Sequence, residues 1–177
     1  MIMERAKRTI EDAATWNAVV TALPLEIVRA GAFRAEDRDE GLIVTMSQES
    51  VAAVDAILED LPRLRQRDLV AYAADKRWRV EVGGISVDGV PVATDDRSKV
   101  MVIGARVAAQ ASPDWTTVWH GADGQTYPLN AAAMIAISNA VEAHVNATFA
   151  TFATVKAGID AGEITTTAAI DAAFAAA

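Results

Sequence analysis

The chain has 177 residues, a net charge of −8, a pI near 4.7 and no cysteine. That length holds one domain or two small ones and can bury roughly 70% of its unfolded surface without a covalent staple. The missing cysteines exclude a disulfide framework, a thiolate metal site and a cysteine nucleophile. The acidity argues against a nucleic-acid-binding surface, and no apolar run is long enough for a membrane span.

Residues 2–10 place Ile2, Glu4, Ala6, Arg8 and Ile10 in one register and predict a strand. Arg5, Lys7 and Arg8 are not followed by an apolar stretch, so no signal peptide is expected there. Ala13, Trp16, Val19, Val20 and Leu23 recur at helical spacing, which predicts a helix over 12–22 that Pro24 stops. Leu25 to Phe33 reads as a strand with Leu25, Ile27 and Phe33 on one face, Arg34 to Gly41 as a charged turn, and Leu42 to Met46 as a second strand. Ser47 or Ser50 caps a helix whose stripe is Val51, Val54, Ile57, Leu58 and Leu61. The N-terminal unit, residues 1–61, thus reads β-α-β-β-α.

Pro62 then restarts a helix over about 63–82, with Trp78 on its apolar face, as a connection between two parts. Its basic residues Arg63, Arg65 and Arg67 are best read as a solvated face. Gly83-Gly84 ends it. Asp88-Gly89, between Ile85-Ser86-Val87 and Val90-Pro91-Val92, predicts a two-residue hairpin turn. Pro91 cannot donate to a ladder, so its strand is an edge to which another chain could add. Thr94, Asp95 or Asp96 caps a helix with Val100, Met101, Ile103, Gly104, Val107 and Ala108 as its apolar face, ended by Ser112-Pro113-Asp114. A second hairpin spans Thr116 to Leu129. Asn130 caps an Ala-rich helix over about 131–160, along which Met134, Ile137, Val141, Val145, Thr148, Phe152, Val155 and Ile159 form a seam. Gly162 closes it, and a threonine at 165–167 caps a last short helix. The fold class is α+β: a small N-terminal unit (1–61), a connecting helix (62–82) and a mostly helical C-terminal domain (83–177) with two hairpins and one long helix.

No residue pattern specifies a reaction. His120 sits at a hairpin tip and His144 in mid-helix, neither with a second histidine at ligand spacing. Asp95-Asp96 is better explained by capping and the helix dipole than by acid–base chemistry, which needs two carboxylates in different environments. No catalytic residue, cofactor or metal is therefore expected. The candidates are interaction residues: Pro91 on the edge strand, Trp115, Trp119 and His120 on the second hairpin, and Val141, Val145 and Phe152 on the seam of the long helix.

The run Gly83-Gly84-Ile85-Ser86-Val87-Asp88-Gly89-Val90-Pro91-Val92-Ala93-Thr94-Asp95-Asp96-Arg97-Ser98 resembles an uncharacterised domain family that recurs in tailed-bacteriophage and prophage proteins associated with tails. The resemblance continues through the hairpin from Thr117 to Leu129, in Ala136 with Ala140-Val141 and Ala143-His144-Val145, and in Ile159-Asp160-Ala161-Gly162; it covers roughly residues 69–174. No activity is established for that family, so no catalytic residue carries over. The resemblance implies a structural protein of the phage virion at the tail tip, baseplate or fibre attachment, found in the tail and, during assembly, in the host cytoplasm. The alternative it implies is a tail-fibre assembly chaperone absent from the particle. Expected partners are other tail proteins and further copies of the chain, a trimer being favoured, with no nucleic acid and no membrane span.

Overall fold

A computed structural model describes residues 5–38 and 41–176. It is α+β and divides into two compact units, Met1–Arg65 and Gln66–Ala177. Ile2, Met3 and Glu4 of the predicted first strand lie outside the described residues.

The first unit holds β1 (Arg5–Ile10), α1 (Ala13–Ala22), α2 (Leu25–Ala30), β2 (Arg34–Arg38), β3 (Gly41–Ser47) and the start of α3 (Val51–Glu81). Its antiparallel sheet has the order β1-β3-β2. In the central β3, Leu42, Val44 and Met46 alternate inward, as a half-buried strand requires. They meet Ile10, Trp16, Val19, Leu23, Val54 and Leu61 in one core. Asp12 caps α1 by accepting from the Thr15 amide at 2.6 Å.

Two expectations are corrected here. Leu25 to Phe33 is not a strand. Pro24 fixes a helix-compatible φ of −55°, and Glu26 and Arg29 suit the two ends of the helix dipole. The adjacent pair Ile27 and Val28 packs together against the core, which a strand would split between faces. The strand is displaced to Arg34–Arg38, the segment read as a turn. As an edge strand it is charged along its length, with Arg34 and Arg38 both paired to Glu36, the usual protection of an exposed edge. Nor does Pro62 restart a helix: α3 is one helix of 31 residues with Pro62 inside it. An internal proline costs about 3 kcal/mol. Packing on both sides of it offsets that cost, with Ile57, Leu58 and Leu61 against one core and Leu69, Val70 and Ala73 against another.

The second unit contains the rest of α3, the hairpin β4 (Ile85–Val87) and β5 (Val90–Val92), α4 (Asp96–Ala111), the hairpin β6 (Thr116–His120) and β7 (Thr126–Asn130), α5 (Ala131–Asp160) and α6 (Thr167–Ala175). Asp88 and Gly89 both take positive φ, 48° and 81°, as their turn requires. Asp95, Asn130 and Thr166 accept from backbone amides at the starts of α4, α5 and α6. Val90, Val92, Val102, Ala109, Leu129, Met134, Ile137 and Val141 share one core. Ala73, Val155, Ile159, Ile170 and Phe174 share a second. Trp78, expected inside, is half-exposed, because five residues beyond the buried Ala73 is the other side of the helix.

Candidate functional site

The four consecutive aliphatic residues Val100-Met101-Val102-Ile103 sweep about 300° around α4, so they cannot share one face. The core takes Val102 and, two turns on, Ala109. The residues read as the apolar face form the outer one: Val100, Met101, Ile103 and Val107 are 67%, 58%, 61% and 61% exposed. The physical reason is that α5 and the hairpins meet α4 along the Val102 side, and among the described residues nothing covers the opposite side. Gly104 lies in the middle of this face, and a Cβ built there meets no atom within 4 Å.

Two grooves flank the face. One, of about 670 Å³, lies between α4 and β6 and is lined by Arg97, Val100, Met101, Gly104, Val118 and His120 among others. Val118 is itself 63% exposed. The other, of about 370 Å³, lies between α4 and α5 and includes Ile103, Arg106, Val141 and Val145. Together they place an apolar surface, edged by cations, on a chain that is acidic overall.

Beneath this face the polar groups are bonded. Glu81, at the end of α3, is the only buried acidic residue among those described. It receives Lys99 from α4 at 2.5 Å and is paired with Arg77 one turn back. The hydrogen bond from Lys99 and the charges of Lys99 and Arg77 hold the Glu81 carboxyl below the usual range. The Arg77 guanidinium lies over the Phe149 ring at 4.3 Å. Thr94 Oγ1 donates to the Glu81 carbonyl at 2.6 Å and accepts from the Gly84 amide at 2.9 Å. The C-terminus of α3 is thus capped from outside its own sequence, by Thr94 and by His144 Nε2, which is 3.1 Å from the Val80 carbonyl and 3.2 Å from that of Glu81. With carbonyls on the other side, Nε2 is the donor. Among the described residues, no group of three or more His, Asp or Glu could hold a metal ion.

The interaction candidates fall into three places. Pro91 lies on an edge, but its carbonyl accepts from the Ala122 amide at 2.9 Å, so the second hairpin's turn already occupies it. Trp115 and Trp119 pack half-buried against the core that holds Met134, while His120 is exposed and lines the larger groove. Val141 is buried in that same core, Val145 is half-buried on the smaller groove, and Phe152 packs on the core around Val155. The seam of α5 therefore faces its own chain. The structure does not gather these seven residues into one surface. The uncovered residues are those of α4, and the run from Val100 to Ile103 with a glycine after it is the sequence signal that marks them.

The fold and this face define an α+β protein whose main surface feature is an uncovered apolar helix. The chain belongs to the family described as Domain of unknown function (DUF4376), whose model matches residues 64–175. No curated protein and no solved structure matches it. Among the described residues, no helix is long and apolar enough to cross a membrane.

Proposed function

We propose that this chain is a structural protein of a bacteriophage tail, at the tip, baseplate or fibre attachment, and that it acts by protein–protein assembly and not by catalysis. One observation carries the assembly reading: the outer face of α4 exposes Val100, Met101, Ile103 and Val107 beside Val118. Five aliphatic side chains exposed to about 60% present roughly 200–350 Å² of apolar area, at about 25 cal/mol per Å² and 1.5–3 kcal/mol per fully buried side chain. The largest apolar patch on a monomer, about 300–600 Å², is often functional. The tail context is supported by the resemblance of the Gly83–Ser98 motif and of the segments after it.

Peptide mass spectrometry on purified, intact phage particles tests the reading. The expected result is a signal comparable with that of minor tail proteins. Absence from particles, with abundance in the infected-cell lysate, would overturn it in favour of an assembly chaperone.

A further inference from the structure

We infer that the outer face of α4 pairs with the same face of a second copy, antiparallel and about a two-fold axis near Gly104. Arg97, Val100, Gly104, Val107 and Ala111 recur at intervals of three and four, the spacing of a helix–helix seam. This stripe is exposed along its length, with Val100 and Val107 well clear of the core. Among the described residues nothing accounts for Gly104: a mid-helix glycine costs about 1 kcal/mol relative to alanine, and space for a Cβ is open. At the crossing of two helices it permits close approach.

The orientation follows from size and charge. On this face the large side chains Val100, Met101 and Ile103 occupy the N-terminal half of α4, and the exposed alanines 108 and 111 lie in its C-terminal half. An antiparallel pair sets the large half of each copy against the small half of the other, and Val100 comes beside Val107 of the second copy. A two-fold interface needs this self-complementarity. The same arrangement brings Arg97, which makes no ion pair among the described residues, toward Asp114 just beyond the end of the other helix. A parallel pair would oppose Arg97 to itself. Antiparallel helix dipoles also attract. The apolar area is a fitting centre for an interface of about 800 Å² per partner whose rim is polar.

The inference deepens the assembly reading by naming a face and a partner, and its test is separate from the particle analysis. Sedimentation of the full chain at rising concentration should approach twice 18.7 kDa. Gly104→Glu keeps the fold, since its side chain enters open space, but should raise the dissociation constant at least about tenfold. Asp114→Arg should weaken pairing, and adding Arg97→Asp should restore it. Because the chain has no cysteine, Gly104→Cys should form a disulfide-linked dimer under mild oxidation, which a control Ser86→Cys should not. A monomer at every concentration, a trimer, an oligomer indifferent to Gly104→Glu, or no cross-link at position 104 would overturn the pairing. Presence in particles together with any of these results would leave the tail reading standing; a sound dimer absent from particles would do the reverse.

Discussion

Helices α4 and α5 carry similar apolar periodicity and do opposite things with it. Along α5, Met134, Ile137, Val141, Val155 and Ile159 are buried in the chain's own cores. Along α4, the outer aliphatic residues are more than half exposed, and the buried apolar side chains are Val102 and Ala109. Periodicity tells which residues share a face; it does not tell whether the chain supplies a cover for that face. α5 is crossed by α3, α4, both hairpins and α6 on its apolar side. α4 has apolar residues on two sides and a neighbour on one.

The contrast should break most visibly inside α5. Met134→Asp places an unpaired charge where no solvent reaches. It should cost more than about 4 kcal/mol and abolish the cooperative transition followed by circular dichroism. A stable, folded variant would show that the seam is not core.

A smaller effect is expected where α4 is tied to the end of α3. Glu81→Gln leaves Lys99 and Arg77 without their buried counter-charge. The loss should be about 2–3 kcal/mol, below the 3–5 of a fully buried pair because the side chains retain some solvent contact. The sign with pH is fixed by the direction of the shift. Glu81 titrates lower in the folded chain than in the unfolded one, so its contribution is complete above the unfolded value of about 4.3 and disappears as pH falls through the lower folded value. Melting temperatures of wild type and variant should therefore differ at neutral pH and converge in acid. A constant gap from pH 7 to strong acid would remove Glu81 from this role.

The smallest change in stability, and the most informative one, belongs to the α4 face. Val107→Ser should alter unfolding free energy by no more than about 0.5 kcal/mol, as surface substitutions do, while lowering the sedimenting mass at high concentration. A large stability loss in the dilute protein would mean that this face is covered within the monomer.

Much of the second unit was legible because its determinants are local. The Asp88-Gly89 turn needs positive φ, Asp95, Asn130 and Thr166 are good caps, and Gly162, at φ 75°, ends α5. The seam of α5 was readable as a seam, though not as an inward one. Where long-range packing decided the outcome, the residues misled. Pro62 is a local stop signal overridden by apolar contacts on either side of it. Leu25 to Ala30 fits both a strand and a helix, and the core chose by taking Ile27 and Val28 together. The His144 contact with the end of α3 depends on two helices far apart in sequence, and no local pattern reports it. On α4, the four-residue aliphatic run and Gly104 held the signal for two faces, but the sequence reading took in a single apolar face and left out the buried Val102 and Ala109.

Methionine oxidation by dilute peroxide, read residue by residue from peptide masses at low and high protein concentration, addresses both helices at once. Met134 is inaccessible and Met101 is 58% exposed, and oxidation follows access. The account predicts that Met134 stays protected throughout, while Met101 reacts readily when the protein is dilute and becomes protected when it is concentrated. Equal reactivity of Met101 at both concentrations, or ready oxidation of Met134, would contradict it.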